Sequence, residues 1–216
     1  MNCLNTMNKA LVSITLSILA VLLFAVLIFN KVQRVDLPPA QQINISGQPT
    51  IGQGKITIVA FEDMKCSNCK RYATEIYPHI KSHYIDTGKA TYVLIPLAFI
   101  QNSIPAGNAA LCVYHQKPEL FFQYVDYLYQ HQPDEALDWA TPETLTQFAQ
   151  QVPGIDMQRF AACIQNNTYY TQLQQNLGLA GKVMGDTIQT PTLYINGYLV
   201  TPMTIEQIEK VISVLK

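Results

Sequence analysis

Residues 56–69 read Ile56-Thr57-Ile58-Val59-Ala60-Phe61-Glu62-Asp63-Met64-Lys65-Cys66-Ser67-Asn68-Cys69. The first six are apolar and β-branched, the pattern of a short buried strand. Two cysteines, three residues apart, follow almost at once. Beyond them Tyr72, Ile76, Ile80 and Tyr84 recur every four residues, which predicts a helix from Cys66 to about Asp86. Pro78 should kink that helix, and Thr87-Gly88 should end it. Ala90 to Leu97 (ATYVLIPL) reads as a second buried strand. Strand, helix and strand in this order make the βαβ unit of an α/β domain.

The position of Cys66 is chemically specific. The N–H groups in a helix's first turn lack internal partners, and the helix dipole adds partial positive charge there. A thiolate at Cys66 is stabilised by both, so its pKa should fall. Lys65, Lys70 and Arg71 would add positive charge nearby. A low pKa also makes Cys66 a good leaving group when a client thiolate attacks. Cys69 can reach the same sulfur and release a mixed disulfide. Cys66 is thus the candidate nucleophile and Cys69 the resolving thiol, with Ser67 and Asn68 between them. Two other readings stay open. The pair could be half of a zinc site completed by Cys112 and His115. It could also be a structural disulfide, although so small a loop stabilises little.

Outward along the chain, residues 105–183 show helical signals and no convincing strand. Candidate helices cover about 106–116, 118–131, 156–166 and 168–181. Another starts at Thr141-Pro142-Glu143, with an N-cap Thr and Pro in the first turn. Sheet returns near the end. Thr192 to Ile195 and Tyr198 to Val200 flank Asn196-Gly197, the strongest short hairpin signal. A last helix starts at Thr204, with Gln207 completing a capping box and Ile205, Ile208, Ile212 and Leu215 as its apolar face. The expected organisation is an N-terminal segment over 1–34, a linker over 35–48 stiffened by Pro38-Pro39, an α/β domain over 49–104 and 184–216, and an all-helical insertion over 105–183.

The N-terminal segment contains twenty residues without a charge, Ala10 to Phe29. That length at 1.5 Å per residue matches a hydrocarbon core of roughly 30 Å. The flank Asn30-Lys31-Val32-Gln33-Arg34 has no small-x-small cleavage site, so an uncleaved transmembrane signal anchor is expected, with a long cleavable signal as the alternative. Lys9 on one side and Lys31 with Arg34 on the other leave the orientation nearly balanced. If the domain is exported, Cys3 stays inside and Cys66, Cys69, Cys112 and Cys163 lie outside, an even number. The net charge of −1 and the lack of basic runs give no attraction to nucleic acid. His79 and His83 lie i, i+4 on the first helix and read as a solvent-facing stripe; His115 and His131 have no obvious partners. Phe121-Phe122 and Tyr169-Tyr170 read as packing residues.

From about Gly47 to the C-terminus the chain resembles DsbA-like proteins of the thioredoxin superfamily. The residues that carry this are Phe61 to Cys69, the helical insertion, and Thr190-Pro191-Thr192. The resemblance implies a thioredoxin-like fold and a cis Thr190–Pro191 bond lying against the active sulfurs. It implies a dithiol–disulfide oxidase of the bacterial periplasm or cell envelope, acting on exported, cysteine-containing clients and held to the inner membrane by residues 10–29. It also implies reoxidation by a quinone-linked membrane oxidase, and no dissociable cofactor. A reductase or isomerase on the same fold is the nearest alternative; a zinc- or peptide-binding module is a further one. Where many relatives have Cys-Pro-His-Cys, Ser67 and Asn68 stand here. Many thioredoxin-like proteins bury an acid six residues before the first cysteine, where this chain has Ala60. Glu62 or Asp63 could substitute, or could be solvated loop charges. In an oxidising compartment Cys112 and Cys163 should pair as a structural disulfide; the alternative is two free buried cysteines.

Overall fold

A computed structural model of the protein describes residues 12–26 and 37–215. It comprises two units, residues 1–36 and 37–216. In the first, residues 12–26 form a helix, α1, whose apolar side chains are exposed all round. Among the described residues no helix is long and apolar enough to cross a membrane. Helix α1 covers the middle of the span expected over 10–29 but is by itself too short to cross a membrane, and the two ends of that span, with Cys3, Lys9, Lys31 and Arg34, lie outside the described residues.

The second unit is built on a five-stranded sheet. Its strands are β1 (Thr50–Ile51), β2 (Ile56–Asp63), β3 (Ala90–Leu97), β4 (Thr192–Ile195) and β5 (Tyr198–Leu199), in the spatial order β1-β3-β2-β4-β5. β2 and β3 run parallel, with Ala60 opposite Leu94, while β4 runs antiparallel to β2, with Leu193 opposite Ala60. The parallel pair is joined by helix α2 (Ser67–Glu75), helix α3 (Tyr77–Ile80) and a π-turn over Lys81–Ile85. The chain bends at Ile76–Tyr77, ahead of Pro78, because proline supplies no N–H to the preceding turn. The two-residue β1 pairs with the edge of β3 and is too short to leave a periodic signal in sequence.

Period-two alternation gives the sheet two buried faces. Ile58, Ala60, Tyr92, Leu94, Leu193 and Ile195 point to one core, shared with α2 and most helices of the insertion. Val59, Phe61, Val93, Ile95 and Tyr194 point to the other, closed by Ala180, Leu179 and Val183 of the long helix α8 (Tyr170–Met184). Ile43 and Ile45 pack on this second face, Gln48 is buried with its amide donating to Asn176 Oδ1 at 2.7 Å, and Gln41 N–H donates to the Gly197 carbonyl at 2.8 Å. The stretch expected as a linker is thus part of the fold from about Gln41 onward, because its alternating Ile residues have a sheet face to cover. A side chain at Gly197, where φ is +83°, would meet the Gln41 carbonyl at 2.3 Å. Asn196 and Gly197 both have positive φ, as a type I′ hairpin requires.

Between β3 and β4 lie only helices: α4 (Ile104–Gln116), α5 (Phe121–His131), α6 (Pro142–Gln150), α7 (Met157–Gln165) and α8. The Thr141 hydroxyl accepts the Thr144 N–H at 3.2 Å to start α6, and Asp156 caps α7 in the same way. Cys112 on α4 and Cys163 on α7 form a disulfide. Buried Asn108 ties the same region by donating to the Cys163 carbonyl at 3.3 Å and accepting the Tyr169 N–H at 2.8 Å. The last helix, α9 (Ile205–Val214), buries Ile208, Val211 and Ile212. Ile205, expected on that face, is exposed because the buried stripe begins one turn later. Thr204 accepts the Gln207 N–H, but its own N–H donates to the Pro202 carbonyl, so Gln207 does not complete a capping box through it.

The histidines have partners the sequence does not show. His79 Nε2 lies 2.7 Å from Glu209 on α9, His115 Nε2 lies 2.8 Å from Gln172 Oε1, and the His131 ring stacks on Tyr127. Of the expected packing aromatics, Phe121 is fully buried and Tyr170 is exposed. A Cys112→Ala/Cys163→Ala double variant should lose about 4 kcal/mol of stability in denaturant titrations, from the loop entropy its bridge removes, while thiol exchange at Cys66 persists.

Candidate active site

β2 ends at Asp63 and α2 begins at Ser67, so the two cysteines stand at the turn between strand and helix. Asp63 builds that turn. One carboxylate oxygen accepts the Lys65 N–H at 2.9 Å. The other accepts the N–H groups of Phe99 and Ile100 and the Ser103 hydroxyl, at 3.0, 3.1 and 2.8 Å. Its carbonyl accepts the Cys66 N–H at 3.0 Å. Asp63 is therefore no solvated loop charge: it is fully buried and fastens the active turn to the loop after β3. Burial pushes its pKa up, and these hydrogen bonds pull against that.

Cys66 occupies the N-cap position with extended backbone, and Cys69 lies in the first turn. Both are free thiols. Cys66 keeps 4% exposure and Cys69 none, so an incoming sulfur meets Cys66 first. The Cys66 thiol is pulled down to about 6 by hydrogen bonding to Cys69; burial opposes this, and the Thr190 side chain and the N–H groups of Cys69 and Asn68 assist it. Cys69 is pushed well above the usual thiol range, first by burial, then by its bond to Cys66 and the charges of Glu62 and Cys66. At neutral pH the outer sulfur is a thiolate and the inner one keeps its proton. The lysines do not act as expected. Lys65 Nζ donates to the Gln101 carbonyl at 3.0 Å and Lys70 Nζ to the Gln132 carbonyl at 2.7 Å, so local donors polarise the sulfur.

The Thr190–Pro191 bond is cis, and the Thr190 carbonyl lies 3.5 Å from Cys66 Sγ. Thr201–Pro202 is also cis. Beside Pro191 opens a cavity of about 450 Å³, bounded by Gln189, Thr192, Met203 and Pro38-Pro39. A larger cavity of about 890 Å³, lined by amide side chains such as Gln48, Gln172 and Asn176, includes neither Cys66 nor Cys69.

Glu62 sits beneath the cysteines, 1% exposed. Tyr92 donates to its Oε1 at 2.9 Å, and Tyr72 and Tyr92 hydroxyls meet at 3.3 Å. Burial raises its pKa to about 7; the nearby hydroxyl of Tyr129, which itself donates to the Asp63 carbonyl at 3.4 Å, and the bond from Tyr92 oppose the rise, and the charge of Cys66 adds to it. Sequence reasoning names Glu62 but misses its tyrosine cage, because Tyr72, Tyr92 and Tyr129 come from three separate elements. It also misses Gln132, whose amide donates to the Lys65 carbonyl at 2.5 Å, and Glu135, whose carboxylate accepts the Ser67 N–H at 2.6 Å. Neither lies near the cysteines in sequence. The zinc alternative fails on geometry: Cys112 is bonded to Cys163, His115 turns to Gln172, and no metal-holding cluster occurs among the described residues.

The reduced protein should show a thiolate absorbance whose midpoint lies near pH 6, lost in Cys66→Ser. Because the folded pKa of Cys66 lies below that of a free thiol, the unfolded chain holds more protons between about pH 6 and 9. The reduced form should then gain stability over Cys66→Ser as pH rises through that window. Glu62 acts oppositely: its folded pKa of about 7 exceeds the ordinary carboxylate value, so its contribution declines as pH rises from about 4.5 to 7. Melting temperatures at stepped pH check both signs.

The sequence profile of the family described as Thioredoxin matches residues 46–213. Disulfide bond formation protein D of Bacillus subtilis is 29% identical, over 77% of this chain and 76% of its own length. The crystal structure of Chlamydia trachomatis DsbA superposes with a TM-score of 0.74 at 35% identity, over 82% of this chain and 97% of its own. Oxidised BdbD from Bacillus subtilis gives 0.75 at 27% identity, over 81% and 96%. The chain belongs to the thioredoxin family, in its DsbA-like branch of thiol–disulfide oxidoreductases.

Proposed function

We propose that the protein oxidises paired thiols of exported client proteins through a Cys66–Cys69 disulfide. The observation that carries this reading is the asymmetry of the pair: Cys66, with 4% exposure and a pKa of about 6, beside a fully buried Cys69 pushed far the other way. A client thiolate attacks Cys66 Sγ, the 66–69 bond breaks, and Cys69 leaves as a thiolate. Glu62, half protonated near pH 7, gives its proton to Cys69, whose own pKa demands one. The client's second thiolate then attacks the client sulfur of the mixed disulfide and releases Cys66 as a stable thiolate. Two electrons pass from the client to the enzyme. The low pKa of Cys66 stabilises the reduced enzyme, which favours the oxidising direction over reductase or isomerase work.

The client would lie along the cavity beside Pro191. Reduced enzyme must hand its electron pair to a partner, and a quinone-linked membrane oxidase is the partner the family resemblance implies. An envelope location is supported by the Cys112–Cys163 bridge, since such bonds persist in oxidising compartments. Membrane anchoring rests on the charge-free run 10–29 in the sequence.

A Cys69→Ala variant whose Cys66 is first loaded as a mixed disulfide with glutathione should exchange the glutathione for a client thiolate and accumulate mixed disulfides with thiol-bearing clients, visible on non-reducing gels; no trapped species, with the protein folded, would remove the assignment. Glu62→Gln should slow thiol oxidation about tenfold at pH 7 and flatten the rate's pH dependence around 7.

A further inference from the structure

The three N–H groups at the start of α2 that lack helical partners have different recipients. Those of Asn68 and Cys69 serve the Cys66 sulfur. That of Ser67 donates instead to Glu135 Oε2 at 2.6 Å, across 68 residues of sequence. Glu135 stands in the connection between α5 and α6, and its position there is determined from several sides. At one end Gln132 is buried, donates to the Lys65 carbonyl at 2.5 Å and offers its own carbonyl to Lys70 Nζ at 2.7 Å. At the other end Trp139 and Ala140 are buried. Between them the Asp134 carboxylate accepts the Ala136 N–H at 2.8 Å, and its carbonyl accepts the Leu137 N–H at 3.0 Å. The connection is thus stapled to residues 65–70 at three points, and the middle one is a carboxylate.

A carboxylate at a helix N-terminus stabilises the helix, but it competes with a second anion for the same positive end. Here the second anion is the thiolate. The other charged groups around the sulfur are Glu62 and Asp63 from β2, Lys65 and Lys70 with their ammonium groups on carbonyls, Arg71 on α2, and Asp134 and Asp138 beside Glu135. The Asp63 carboxylate is taken up by the Lys65 N–H and the loop after β3, so Glu135 is the carboxylate bonded to the backbone of the first turn of α2.

We propose that Glu135 is a positioning residue that moderates the oxidising strength of the Cys66–Cys69 pair, by holding the Ser67 N–H and fixing a negative charge at the helix end that carries the nucleophile. Without that charge the thiolate gains stability, the reduced enzyme gains with it, and the disulfide becomes a stronger oxidant. The connection 132–141 thereby acts on the redox pair through charge rather than through contact with the client. This rests on the assignment of Cys66 as the nucleophile.

The test is a charge series on the full chain: wild type, Glu135→Gln and Glu135→Lys. Two quantities are read, the thiolate absorbance of the reduced protein against pH and the equilibrium with glutathione. The Cys66 midpoint should fall by about half a unit to one unit in Glu135→Gln, shifting the glutathione equilibrium about three- to tenfold toward reduced enzyme. Glu135→Lys should move both further the same way. A cap that is only structural predicts lower melting temperatures in both variants with the midpoint and equilibrium unmoved, and that result overturns the proposal. Should Glu135→Lys not fold, ionic strength supplies the other arm. Added salt screens a half-exposed carboxylate, so it should lower the Cys66 midpoint more in wild type than in Glu135→Gln; equal salt responses would also overturn it. If wild-type protein itself shows no thiol ionising below about pH 8, the assignment of Cys66 fails instead, and the two failures are distinguishable.

Discussion

Everything at this site depends on how unequally the fold treats two chemically identical thiols three residues apart. The N-cap position gives Cys66 backbone donors and a sliver of solvent. Three residues on, still in the first turn of α2, Cys69 is closed off from solvent, receives one backbone N–H, that of Asp63, and faces the carboxylate of Glu62. Thiol–disulfide exchange needs a sulfur that leaves easily and another that takes up a proton when it leaves. The difference is one of position along a helix axis, where first-turn N–H groups are free and later ones are consumed. Side-chain charge contributes less, since the nearby lysines are spent on carbonyls.

That turn is held from outside. The Asp63 carboxylate accepts four hydrogen bonds and couples the residues before Cys66 to the loop after β3, while the α5–α6 connection reaches back through Gln132 and Glu135. Buried carboxylates of this kind are costly unless satisfied. Asp63 is fully satisfied and serves geometry. Glu62, caged by tyrosines and shifted to near neutrality, is suited to proton transfer. Two adjacent acids on one strand diverge because alternation along β2 turns them to opposite faces of the sheet.

The helical block contributes the frame. Small residues Ala106, Ala109 and Ala110 on α4 are fully buried, and a side chain at Gly107 would meet Leu173 at 3.0 Å. The block is closed by the Cys112–Cys163 bridge and by Asn108, and α5 and its following connection are thereby presented to the active turn. The frame thus positions residues that the α/β core lacks.

Local pattern made much of this legible. The run 56–61 and the run 90–97 are strands because β-branched apolar residues buried on both faces leave little alternative, and the Asn196-Gly197 turn follows from positive φ. The position of Cys66 between a strand and a helix, and hence its chemistry, also follows from short-range pattern. Other features had no local signature. Whether Glu62 and Asp63 were buried, where the lysine ammonium groups would point, that residues 41–48 would cover a sheet face, and that Glu135 would reach Ser67 all depend on groups far away in sequence. Backbone conformation and helix ends are decided by neighbours a few residues apart, so the sequence alone could determine them. Burial and charge pairing are decided by what folds back across tens of residues, and only the tertiary structure could set those.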